Sequence, residues 1–169
     1  MAILTLLRHA KAASPASGQD DFDRPLTERG RDDAGWAGGI IAPFKPDLAL
    51  VSAARRTRET WEIASQALAK APEPALDRDL YLCSPAHLLT RIQSVPATAR
   101  SVVAVGHNPC LEELALWLSG DDDMPEARAM QEKFPTAAIA VFDLRDGGWN
   151  RLGPESVALR RFTTPKMDA

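Results

Sequence analysis

Three short apolar runs, each cut off by a cluster of polar side chains, narrow the possible folds of this chain more than any other feature. Residues 3–7 run into Arg8, His9, Ala10 and Lys11. Residues 48–51 run into Ser52 and then Arg55, Arg56 and Arg58, and residues 101–105 into Gly106, His107 and Asn108. Apolar, partly β-branched runs of this length read as buried strands. Helical patterns lie between them. Thr27 has an N-cap side chain and opens a helix reaching to about residue 41, ended by Pro43 and Pro46. Gly30, Gly35, Gly38 and Gly39 weaken its intrinsic propensity, so tertiary packing must hold it. Residues 53–68 are helical in composition, with Trp61, Ala64, Ala67 and Leu68 on the expected buried face.

Further along, Ser84 and Pro85 start a helix over residues 86–94. Leu111, Leu114, Ala115 and Leu118 form an apolar stripe ended by Gly120. Residues 76–82 read as a short extended piece and 124–133 as loop or short helix. Residues 137–144 and 148–152 read as edge strands flanking an Asp146-Gly147 hairpin turn. The alternation predicts an α/β fold, a three-layer α/β/α sandwich whose central sheet is mostly parallel with an antiparallel edge.

Parallel strands would bring the three polar clusters to one edge of that sheet, where open α/β folds bind their ligands. Helix starts at the same edge add free amide donors and partial positive charge. Two histidines with arginines and helix starts then converge on one small anion, and phosphate fits best. The totals frame this expectation. A length of 169 residues suits a single domain, residues 1–169. The net charge of −3 gives no global attraction to nucleic acid or an anionic membrane. The opening residues carry no basic region, and their apolar run is too short for a signal peptide or a spanning helix, so a cytoplasmic location is expected. Cys83 and Cys110 show no CxxC spacing and read as two free thiols. A zinc site of His9, His107 and Cys110 lacks close ligand spacing and a fourth ligand. His87 follows a helix cap, belongs to no cluster and reads as a surface residue.

These motifs together resemble the histidine phosphatase superfamily, which is phosphoglycerate mutase-like in fold, and most closely its small SixA-type phosphohistidine phosphatases. Arg8-His9-Ala10 stands where that family has Arg-His-Gly, and Arg24 to Thr27 give Arg-Pro-Leu-Thr with Gly30 beyond. Ser52, Arg56 and Thr60 match a Ser-x-x-x-Arg-x-x-x-Thr helix start, and His107 matches the second histidine. The resemblance extends through Thr136 to Ala140 and so covers nearly the whole chain. It implies that His9 is the nucleophile, that Arg8 and Arg56 bind phosphate oxygens, and that His107 is a further donor. Arg55 and Arg58 fall off the motif and read as surface ion-pairing residues. No metal or other cofactor is implied, because arginines supply the charge.

Two departures matter. Ala10 replaces the usual glycine, which a backbone of negative φ tolerates. The glutamate that mutase-like relatives supply after the region of residues 76–85 is absent; Asp77 and Asp79 are the carboxylates on offer. Phosphate esters leave poorly without a general acid, whose help is typically worth ~10²–10⁴-fold. Phosphohistidine leaves as imidazole and can do without one. The expected function is therefore hydrolysis of phosphohistidine in a protein through a phosphorylated His9. The alternatives are a phosphatase of a small phosphomonoester or nucleotide-type metabolite, and a phosphate-recognition module without turnover. Since the chain has no long insertion to serve as a lid, the pocket should be shallow and open.

Overall fold

The computed structural model describes residues 1–145 and 147–169. Among them, six strands form one sheet: β1 (Ala2–Arg8), β2 (Leu48–Ser52), β3 (Pro74–Asp77), β4 (Ser101–Gly106), β5 (Ile139–Leu144) and β6 (Val157–Thr163). Their order is β3-β2-β4-β1-β5-β6. The first four in that order are parallel, and β5 runs antiparallel to both of its neighbours.

Side chains alternate across the sheet, as strand geometry requires. Leu4, Leu6, Leu50, Val102 and Ala104 enter one apolar core with α3 (Pro85–Gln93), α4 (Cys110–Ser119) and α5 (Pro125–Glu132). Leu7, Ala49, Val51, Val103 and Val105 enter the other, under α1 (Glu28–Ile41) and α2 (Arg55–Ala64). The result is the expected three-layer sandwich. None of these helices is long and apolar enough to cross a membrane.

Local chemistry fixes the helix starts. Thr27 Oγ1 accepts from the Gly30 amide at 3.0 Å, and Ser84 Oγ from the His87 amide at 3.1 Å. The glycines of α1 find their reason in close packing, because a Cβ on Gly38 would overlap the backbone of Ala64 in α2. That contact seats α1 directly on the helix that carries Arg56.

Three expectations need correction, and one open reading is settled. The helix read over residues 53–68 spans Arg55–Ala64 and tightens into a 3-10 turn, Ser65–Ala67, which leaves Ala67 exposed. The extended piece read at 76–82 is β3, Pro74–Asp77, followed by a 3-10 turn at Arg78–Leu80. Of the two readings for residues 124–133, loop or short helix, the helix holds: it is α5, with proline at its start. Residues 148–152 are no strand: Trp149–Arg151 form a 3-10 turn that buries Trp149 and Leu152, and the partner of β5 is β6. The predicted Asp146-Gly147 turn falls partly outside the described residues.

Register completes the frame. Arg8 pairs with Gly106, and Val51 with Val105, so the ends of β1, β4 and β2 lie side by side.

Candidate active site

His9 leaves β1 directly beside the end of β4, its amide donating to the Gly106 carbonyl at 3.0 Å. The next peptide is also pinned. Ala10 N–H donates to Thr60 Oγ1 at 3.0 Å, and that hydroxyl in turn donates to the Arg56 carbonyl at 2.7 Å, binding the first loop to α2. Ala10 is fully buried and is not among the residues of left-handed backbone, so its methyl group is accommodated where the family has glycine.

The two imidazoles face each other with ring centroids 5.3 Å apart and are 8% and 6% exposed. His9 Nδ1 donates to the Ala10 carbonyl at 2.7 Å. That bond places the ring hydrogen on Nδ1 and leaves the Nε2 lone pair uncommitted. His107 Nε2 lies 2.8 Å from Ser52 Oγ, at the end of β2. With the serine hydroxyl donating there, the hydrogen of His107 belongs on Nδ1, a buried atom that has no partner among the described residues. Arg8 Nε and Arg56 Nε are likewise buried without a partner. Three buried donors on neighbouring side chains, none of them spent on the protein's described groups, are what an anion site needs.

The arginines are held rather than free. Arg8 Nη1 donates to the Phe134 carbonyl at 2.9 Å, the same oxygen that accepts from Asn108 Nδ2 at 2.9 Å. Arg56 donates through Nη1 to the Asp21 carbonyl at 2.8 Å and through Nη2 to Asp21 Oδ2 at 3.1 Å. Arg55 points away, paired at 2.9 Å with Glu59, and Arg58 is exposed on the Ala53 carbonyl. The surface ion-pairing role read for Arg55 holds; Arg58 is at the surface but bonds a carbonyl rather than an acid, and His87 is exposed too.

Burial and charge act together on the histidines. Burial first, then the charges of His107, Arg56 and Arg8, depress the His9 pKa to about 3. Burial followed by Arg56 and Arg8 depresses that of His107 to about 4. Both rings are therefore neutral at physiological pH, as a nucleophile requires. These side chains, with Lys11, Ala12, Arg24, Leu82, Asn108 and Thr136, line a cleft of about 270 Å³. A larger hollow of about 540 Å³ around Lys45 to Asp47 and Leu68 to Pro72 holds no comparable group of donors.

Sequence reasoning missed Asp21 and Tyr81. Asp21 accepts from Tyr81 Oη at 2.5 Å and from Arg24 Nη1 at 2.8 Å, besides Arg56. These bonds, Tyr81 first, hold its carboxyl well below the usual carboxylate range. The Tyr81 ring stands edge-on to His107 at 5.5 Å and to Phe22 at 5.0 Å. An acidic run next to Arg24-Pro25 was the one available hint, and it reads equally as solvated loop. The two carboxylates weighed as proton donors lie elsewhere. Asp77 accepts from Arg91 and from the Asp79 amide, and neither lines the cleft. Among the described residues no cluster of three or more His, Cys, Asp or Glu is placed to hold a metal ion.

Comparison with known proteins agrees with this architecture. The sequence profile of the histidine phosphatase superfamily (branch 1) matches residues 4–80. An uncharacterized protein of Mycobacterium tuberculosis is 37% identical over 164 residues, 95% of this chain and 100% of that one. A solved structure from Agrobacterium tumefaciens, named for the phosphohistidine phosphatase SixA, is 32% identical with a TM-score of 0.82. The match covers 97% of this chain and 98% of that chain. A SixA-named structure from Nakamurella multipartitia is 26% identical with a TM-score of 0.84, covering 97% and 96%. The profile covers the strand that delivers His9, the relatives and the shared fold span nearly the whole chain, and the chain belongs to the histidine phosphatase superfamily, among its SixA-type phosphatases.

Proposed function

We propose that this phosphatase works through a phosphoryl group carried transiently on His9, and that its substrate is phosphohistidine borne by a protein. The observation that carries the reading is the state of His9: a neutral ring, oriented by the Ala10 carbonyl, with a free lone pair among Arg8, Arg56 and His107. The lone pair attacks phosphorus, the bond to the leaving nitrogen breaks, and the phosphoryl group passes to His9. Water then attacks phosphorus, the His9–phosphorus bond breaks, and inorganic phosphate leaves. Arg8, Arg56 and His107 donate to the oxygens on which charge accumulates, where most catalysis of phosphoryl transfer originates.

Two features favour a protein-borne phosphohistidine over a metabolite ester. The cleft of about 270 Å³ falls below the ~300–1,000 Å³ of sites that enclose small organic ligands. Most of the substrate then stays outside. Asp21, the carboxylate bonded to the cleft residues Arg24 and Arg56, is committed to three donors and held ionised, so it has no proton to give a poor alkoxide leaving group. The relative from Agrobacterium tumefaciens, named as a phosphohistidine phosphatase, supports the same choice.

The test is a rapid-quench reaction with a radiolabelled phosphohistidine protein, run beside a sugar phosphate. An acid-labile, alkali-stable label on the His9 peptide is expected, absent from His9→Ala. Turnover of the sugar phosphate should be slower by at least ~10²-fold, the usual value of a missing general acid. Substantial activity in His9→Ala would overturn the mechanism, and equal turnover of both substrates would overturn the substrate assignment.

A further inference from the structure

The chain's two cysteines lie far apart in sequence and meet in space. Cys83 Sγ and Cys110 Sγ are 3.1 Å apart, both as thiols. Cys110 is the first residue of α4 and is buried, with Sγ also 3.4 Å from the Ser84 carbonyl. Cys83 is partly exposed, so an oxidant in solution can reach it while its partner stays sheltered. Nothing in the phosphatase mechanism uses either sulfur.

Their positions relative to the cleft are specific. Cys83 follows Leu82, a cleft-lining residue of left-handed backbone (φ 56°) that is 73% exposed. Tyr81, just before it, holds Asp21. Cys110 follows His107-Asn108-Pro109, and the His107 carbonyl accepts from the Leu111 amide at 2.9 Å in the first turn of α4. The sulfurs thus join the two segments that carry one wall of the cleft and its second histidine.

We propose that Cys83 and Cys110 are an oxidation site, closing under peroxide to an intramolecular disulfide that slows turnover at the neighbouring cleft. A disulfide needs its sulfurs at about 2.05 Å, so closure draws them together by about 1 Å. Displacements of that size near reacting groups are enough to cost catalysis. The Cys83 thiolate attacks one oxygen of hydrogen peroxide; the O–O bond breaks, hydroxide leaves and is protonated to water, and Cys83 becomes a sulfenic acid. The Cys110 sulfur then attacks the sulfenic sulfur, the S–O bond breaks, and the hydroxide leaves as a second water with the Cys110 proton. Two thiols lose two electrons and one peroxide gains them. The contact with the Cys110 sulfur lowers the Cys83 pKa, favouring Cys83 as the attacking thiolate, and the same contact with burial raises that of Cys110.

The test treats the full chain with hydrogen peroxide and follows thiol titre, intact mass and turnover of p-nitrophenyl phosphate. Expected are a fall from two thiols to none, a mass loss of about 2 Da, and no dimer on non-reducing gels. Turnover should fall severalfold, and dithiothreitol should reverse every change. Cys83→Ser, and separately Cys110→Ala in case one packs poorly, should keep their turnover under the same treatment. Retention of two thiols, a dimer, or mass gains of about 16 Da and its multiples without loss of both thiols would overturn the site. A disulfide that leaves turnover unchanged would overturn its coupling to the cleft. Thiol titre and mass need no substrate, so they stand or fall apart from the reading of His9.

Discussion

Asp21 grips Arg56 twice, once through its main-chain carbonyl at 2.8 Å and once through its carboxylate at 3.1 Å. Arg56 is 5% exposed, so the acid that neutralises part of its charge also aims it. Charge-assisted hydrogen bonds are worth about 1.5–3 kcal/mol. Asp21→Ala should therefore lower kcat/KM by about 10–100-fold. Asp21→Asn, which keeps a neutral acceptor, should lose less. Steady-state kinetics with an aryl phosphate reads both, and unchanged kinetics in Asp21→Ala would show that Arg56 needs no brace.

Arg55 and Arg56 are neighbours in sequence with opposite fates. Arg56 turns into the cleft, while Arg55 pairs with Glu59 at the surface, where such pairs contribute about 0–1 kcal/mol. Arg56→Ala should cut kcat/KM by about 10²–10³-fold, the usual cost of losing one donor to a developing oxyanion, and weaken inhibition by inorganic phosphate. Arg55→Ala should stay within about twofold of the parent, since it touches nothing in the cleft. Equal losses in the two variants would contradict the assignment.

Stability should fall with acid in a defined window. The folded chain holds His9 near pKa 3 and His107 near 4, against about 6.5 when unfolded. Between those values the unfolded chain binds more protons, so stability rises with pH there and is lost as pH drops below about 6.5. Each histidine contributes up to about 1.4 kcal/mol per pH unit across its window. Urea midpoints measured from pH 7 to 4.5 should decline, and His107→Gln should flatten the slope. Imidazole proton shifts of His9 and His107 should stay constant from pH 7 to 5.

Gly38 lets α1 lie against the backbone of α2, and any Cβ there must push the helices apart. Gly38→Ala should cost about 1–3 kcal/mol despite its better helix propensity, as overpacking usually does. Gly35 and Gly39 have open space around a built Cβ, so alanine there should stabilise by a few tenths to about 1 kcal/mol. Thermal melts of the three variants decide between propensity and packing as the controlling factor in α1.

What the sequence made legible was the part with a local signature. Strands β1, β2 and β4 announce themselves because they are buried on both faces and end abruptly in polar residues; Arg8, His9 and His107 sit at such ends, and Arg56 on the helix that follows β2. Strand β6 escaped notice because Arg160 and Arg161 interrupt its apolar residues on the solvent side of an edge. The extended reading at 148–152 followed apolar residues that are buried by a 3-10 turn. Asp21 was illegible for a different reason: its partners Arg56 and Tyr81 lie 35 and 60 residues away. Only folding brings them together. The same holds for Cys83 and Cys110.

The bond from His9 Nδ1 to its neighbour's carbonyl has a regiochemical consequence. A ring anchored through one nitrogen can accept phosphorus only on the other, so the trapped enzyme should carry the 3-phospho isomer, with no 1-phospho species beside it. Phosphorus NMR of the denatured intermediate, kept alkaline, would separate the two isomers by their proton couplings.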